Sequence, residues 1–128
     1  MKVLCEISVG ELLDKISILE IKLEKIQDIE KKELIIYEYK ELIATLNKLN
    51  IDSKLLENYK KNLKAVNTKL WDVEDLLRKL ESEKKFNKKF ILLARSVYQL
   101  NDERYDYKNK LNNAINSNVK EVKSYQEY

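Results

Sequence analysis

Between Leu56 and Leu80 an apolar residue recurs at Leu56, Tyr59, Leu63, Val66, Leu70, Val73, Leu77 and Leu80, in strictly alternating steps of three and four. Only a helix of 3.6 residues per turn returns such positions to one side. The chain has no Pro, and Gly10 is its one glycine, so nothing inside this run breaks the helix. The pattern predicts one helix over about 53–85, roughly 50 Å long at 1.5 Å per residue. A stripe of that length must be buried by other helices. Leu70 and Leu77, in the middle of it, are expected in the core. The rest of the chain offers helices for the purpose, because hydrophobic residues make up 44% and charged residues 37%, the balance of amphipathic helices rather than of disorder or sheet. At 128 residues one domain with one core is expected. The fold class is therefore all-α, an antiparallel bundle of three to four helices dominated by a long helical hairpin.

Start signals divide the bundle. Residues 1–7 read as an extended arm. Ser8 and Glu11 have the S-x-x-E spacing of a capping box, flanked by Ile7 and Leu12 at staple positions. The helix they open, about 9–27, carries Leu12, Ile16, Leu19, Leu23 and Ile26 on one line and Leu13, Ile18 and Ile21 off it. Apolar residues on more than one side predict more than one packing neighbour. The phase is lost near Asp28 to Lys32 and resumes at Ile35, so a second helix over about 33–50 is expected, with a single bent helix as the alternative. Asp52 caps the third helix. Phe86, Asn87 and Ile91 repeat the staple and cap, and the fourth helix, about 88–117, turns back antiparallel. The tail 118–128 shows no helical stripe.

Charge and residue inventory narrow the function classes. The 25 basic residues face 22 acids, for a net charge of +3, and they are scattered, so no nucleic-acid surface is indicated. Histidine is absent, which removes His-based catalysis and the common zinc sites. Cys5 is alone and can form no internal disulfide. No apolar run reaches a membrane span, and residues 1–5 are too short an apolar run for a secretory signal. A cytoplasmic protein without membrane attachment, metal or cofactor is expected.

The fourth helix carries the one anomaly. Phe90, Leu93, Ala94, Val97 and Leu100 share a face that is continued by Asn101, Arg104 and Lys108 before Leu111 and Ile115 resume it. A cation buried without a partner costs several kcal/mol, so these side chains either meet acids or line a pocket that holds an anion. Only three arginines exist, Arg78, Arg95 and Arg104, and arginine is favoured where planar bidentate bonding to carboxylate or phosphate is needed. The third helix has its own polar line, Asn67, Trp71, Glu74 and Arg78. A hairpin pivoting near Asn87 sets Arg104 level with Leu70 and within reach of Glu74, and Lys108 level with Val66 and Asn67. Glu20 of the first helix can join them. The candidate binding set is thus Glu20, Asn67, Trp71, Glu74, Arg78, Asn101, Arg104 and Lys108. The same residues read equally well as a structural network in which Glu74 neutralises Arg104. Catalytic motifs are poor. The acid pairs Glu11/Asp14, Glu38/Glu41 and Glu103/Asp106 have the one-turn spacing used by Mg²⁺-dependent helical phosphohydrolases, but such pairs arise easily among 22 acids.

The stretches SVGELLDKISILEIKLEKI, NTKLWDVEDLLRKLE, FILLARSVYQLNDERYDYKNKLN and EVKSYQEY resemble a family of small all-helical bacterial and phage proteins known only as a domain of unknown function. Its motif positions fall on Glu11, Asp14, Lys15, Glu20, Asn67, Trp71, Glu74, Asp75, Arg78, Arg95, Tyr98, Asn101, Asp102, Arg104 and Lys108. The resemblance implies no catalytic residues. It implies a possible context, since some relatives occur with proteins of surface-polysaccharide assembly. Three functions are open at this point: a protein whose interhelical pocket binds an anionic small molecule such as a sugar nucleotide, a scaffold that forms homo-oligomers or docks on a partner enzyme, and a Mg²⁺-dependent phosphohydrolase.

Overall fold

The computed structural model describes residues 1–117 and 119–128. It is an all-α bundle of α1 (Val9–Lys25), α2 (Ile29–Asn47), α3 (Ser53–Ser82) and α4 (Lys88–Ala114). Asn118, where the tail was expected to begin, lies outside the described residues.

Each helix starts on a side chain that accepts one of the backbone N–H groups left free in the first turn. Ser8 accepts from Glu11, Asp28 from Lys31, Asp52 from Lys54 and Asn87 from Phe90. Asp28 is the signal that sequence reasoning passed over. It ends the ambiguity between one bent helix and two, because the chain turns at Ile26 to Asp28 and α2 begins at Ile29 rather than near 33. The helix ends are less conventional. Without glycine to take up the left-handed conformation, the chain places Asn50, Lys84 and Asn116 there, at φ 57°, 56° and 54°. Beyond two of them the turn closes in Schellman fashion, Lys85 N–H donating to the Leu80 carbonyl and Ser117 N–H to that of Asn112.

The shortest helix, α1, is the central one. It packs along α2, α3 and α4, α3 packs along α4, and α2 lies close only to α1. Gly10, Leu12, Leu13, Asp14, Ile16, Ser17, Leu19 and Ile21 are buried, more than one helical face, which is why three neighbours surround it. The core centres on Leu13, Leu63 and Leu111, one residue from each of α1, α3 and α4, with Leu46, Leu56, Tyr59 and Tyr107 packed around them. α1 runs beside α3 from the Asp14–Asn67 contact to the Lys25–Asp72 pair. At 17 residues it is about 20 Å shorter than the 30-residue α3, given 1.5 Å per residue. The far end of the hairpin is consequently packed only on itself.

That geometry corrects the expected core. Leu63 and Val66 are fully buried and Leu80 is buried within the hairpin, but Leu70 and Leu77 are half-buried, Leu70 because it borders a cavity between α1, α3 and α4 and Leu77 because it lies beyond the Lys25–Asp72 pair where α1 ends. We expect Leu63→Ala to cost about 2–5 kcal/mol, and Leu70→Ala or Leu77→Ala about 1 kcal/mol, half the transfer value of a buried leucine. Urea unfolding of the three variants measures the difference, and equal losses would contradict it.

Gly10 has a different role from a turn glycine. A Cβ there would stand 2.7 Å from the Lys108 carbonyl oxygen and 2.9 Å from the Asn112 side chain, so its missing side chain lets α1 and α4 approach. Gly10→Ala should lower stability by up to about 2 kcal/mol, since overpacking strain of about 1–3 kcal/mol offsets or exceeds the helix gain of about 1 kcal/mol. A rise in the unfolding midpoint would overturn this.

Candidate functional site

The two cations in the core phase of α4 find their acids on α1. Asp14 is completely buried. Its Oδ1 accepts from Arg104 Nε at 2.9 Å and from Asn67 Nδ2 at 2.8 Å, and its Oδ2 accepts from Arg104 Nη2. Asn67 also donates to Ser17 Oγ at 2.9 Å, and Ser17 donates to the Asp14 carbonyl at 2.7 Å. One carboxylate thus ties α1, α3 and α4 together through bidentate and charge-assisted bonds. The Asp14 hydrogen bond, outweighing partial burial, raises the Arg104 pKa above its ordinary value, so the guanidinium is locked in its charged form. Removing one partner of such a pair is costly because the other is left buried and charged.

The second cation, Lys108, is 6% exposed. Its ammonium lies 3.3 Å from Glu11 Oε2 and 2.5 Å from Glu121 Oε2. Glu11 is therefore drawn toward Lys108 and, at 3.8 Å, Lys15, and of the expected capping box the Ser8 half is formed. The remaining free donors at the head of α1 are met from the other end of the chain: Gly10 N–H donates to Asn112 Oδ1 at 2.7 Å and Val9 N–H to Ser117 Oγ at 3.4 Å.

The arrangement corrects the expected partners. Glu74 does not neutralise Arg104. It pairs with Arg78 one turn along its own helix, at 2.5 Å and largely in solvent, a contact of small energetic value. Asn67 bonds Asp14 and not Lys108. Glu20 sits on another side of α1, between Lys60 at 3.2 Å and Lys64 at 3.4 Å. The acid pairs suggested for Mg²⁺ do not converge: Glu11 and Asp14 hold Lys108 and Arg104, Glu41 holds Lys2, and among the described residues no group of three acids or cysteines is placed to hold a metal ion. Asp14 itself was legible as an acid in a buried phase, since Gly10, Asp14, Ser17 and Ile21 follow one helical line.

Two cavities flank Arg104. One, of about 510 Å³ between α1, α3 and α4, is lined by Ile18, Ile21, Asn67, Leu70, Trp71, Glu74, Asp75, Arg78, Asn101 and Arg104. It therefore gathers six of the eight candidate residues, leaving out Glu20 and Lys108. The other, of about 450 Å³ between α4 and the tail, is lined by Arg104 and Lys108 with Tyr98, Asn101, Asp102, Glu121, Lys123, Tyr125 and Tyr128 among others. Asn101 and Arg104 belong to both. The tail folds back along α4 by polar contacts: Lys123 donates to the Asn101 carbonyl at 3.2 Å, and Tyr128 OH donates to Asp102 at 2.7 Å while its ring meets Tyr98 edge-on at 4.9 Å. The Asp102 carboxylate pushes the Tyr128 hydroxyl pKa up to about 12.

Over its full length, residues 1–128, the sequence matches the family described as Family of unknown function (DUF6165). The chain belongs to this family. No curated protein and no solved structure matches it. For this member of the family, no helix among the described residues is long and apolar enough to cross a membrane.

A double-mutant cycle tests the Asp14 network. Asp14→Asn and Arg104→Met should each cost about 2–3 kcal/mol, below the full buried-pair value because Arg104 is partly exposed, and the double variant should lose much less than their sum. Arg104→Met with Glu74→Gln should be additive. Coupling to Glu74 instead of Asp14 would refute the assignment.

Proposed function

We propose that this protein is a helical binding module that takes an anionic small molecule at the paired cavities beside Arg104. The observation that carries the reading is the way Arg104 is held. Asp14 engages Nε and Nη2 from the buried side, so the guanidinium is immobilised while it borders both cavities. An arginine whose orientation is fixed in advance loses little freedom on binding a ligand oxygen. The cavity of about 510 Å³ between α1, α3 and α4 suits a ligand of sugar-nucleotide size, with Trp71 and, on the Lys108 side, Tyr98 as aromatic walls for a sugar or base and Arg104 and Lys108 for phosphate. The context suggested by the resemblance, in which some relatives occur with proteins of surface-polysaccharide assembly, is in keeping with such a ligand.

The test is calorimetry and thermal unfolding with a nucleoside diphosphate sugar. Binding to the folded state at a hundred times Kd should add about 2.7 kcal/mol of stability, and Arg104→Lys, which keeps the charge but loses the fork, should abolish most of it. No stabilisation at millimolar ligand would end this reading.

A second reading rests on a separate observation. Beyond α1 the hairpin leaves Leu76, Phe86, Ile91 and Leu92 exposed at 39%, 56%, 55% and 53%, an apolar end of the kind that marks association surfaces. On that reading the hairpin is a scaffold that self-associates or docks on a partner enzyme. Light scattering at micromolar concentration distinguishes them, and a strict monomer would leave self-association without support.

A further inference from the structure

The tail is held loosely and carries one contact of a different kind. Val122, Tyr125 and Tyr128 are 85%, 81% and 77% exposed, so little apolar burial keeps residues 119–128 in place. Solvent-exposed clips such as Tyr128 on Asp102 and Lys120 on Asn113 contribute little each. The Glu121 carboxylate, in contrast, reaches an ammonium that is almost wholly buried. Lys108 has one fixed acid partner, Glu11 at 3.3 Å, and Glu11 is shared with Lys15. Its closest carboxylate is Glu121, at 2.5 Å, supplied by the mostly exposed tail. A buried cation needs a compensating anion, yet nothing in the fold requires that this anion come from the tail.

We propose that Glu121 is a built-in occupant of the anion subsite. Its carboxylate stands where a phosphate or carboxylate group of the ligand binds Lys108, and ligand binding displaces it and releases the tail from α4. The inference rests on the binding function proposed above and adds how that site is kept filled and how it opens. A ligand phosphate offers more negative charge and more acceptor oxygens than one carboxylate, so it can replace Glu121 at Lys108 while also reaching Arg104. Only contacts of low individual value are lost from the tail.

The experiment compares the full chain with Glu121→Gln and with Glu127→Gln, using inorganic pyrophosphate as the probe. Both changes lie on the exposed tail, so both variants fold. Both remove one negative charge, but only the first vacates Lys108. Titration calorimetry should give about tenfold tighter pyrophosphate binding to Glu121→Gln, equivalent to 1.4 kcal/mol, and an affinity for Glu127→Gln equal to that of the parent. Hydrogen exchange of backbone amides in 119–128 should speed up when pyrophosphate saturates the parent chain. Equal affinity in all three chains, or a tail that gains protection on binding, overturns the displacement and leaves the binding function standing. Pyrophosphate binding to none of them removes both.

Discussion

Everything else in the bundle depends on a buried carboxylate meeting a guanidinium that is ninety residues away in sequence. Asp14 has no exposure to solvent, so it cannot be hydrated. It requires Arg104 and Asn67 to be in place before α1 can sit between α3 and α4. Ion pairs of this kind seldom add stability over an apolar substitute, but they penalise every arrangement that leaves a partner alone. Here a shift of α1 by one turn along α4 would strand Asp14, misplace Glu11 from Lys108, and drive the Cβ of a residue other than Gly10 against the Lys108 carbonyl. Packing of Leu13, Leu63 and Leu111 supplies the apolar burial. The polar layer selects the register in which that packing occurs.

The helices were legible because their signals are local. The three-four alternation from Leu56 to Leu80 and the caps at Ser8, Asp52 and Asn87 are properties of short windows, and the all-α bundle follows from them. The polar interruption at Asn101, Arg104 and Lys108 was legible too, since an apolar phase makes its exceptions visible. What could not be read was which acid answers it. Hairpin arithmetic relates α3 to α4 alone, and it nominated Glu74 because Glu74 lies at a reachable height. It contains nothing about the third helix, whose approach depends on Gly10 removing a Cβ. The half-burial of Leu77 was hidden for the same reason, because a stripe does not say how far its partner extends, and that of Leu70 because a stripe does not show a cavity.

The candidate residues divided along similar lines. Trp71, Glu74 and Arg78 share a helical line with Asn67, at steps of four, three and four, and they line one cavity with Asn101 and Arg104. Glu20 was attached to them by charge alone, and its own lysines, Lys60 and Lys64, were nearer. Glu121 carried no signal, for a carboxylate in an aperiodic tail has no phase from which a partner can be inferred.

The head of α1 takes its hydrogen-bond acceptors from Asn112 and Ser117, and its central acid, Asp14, takes its cationic donor from Arg104. α1 is thus completed by residues made about a hundred positions later in the chain. Until α4 is available, α1 has free amide donors, an uncompensated acid and several uncovered apolar faces, none of which α2 alone can satisfy. The bundle must close late and cooperatively, by long-range docking rather than by stepwise growth from its first hairpin. A nascent or truncated chain lacking the second half of α4 has no native intermediate in which to wait.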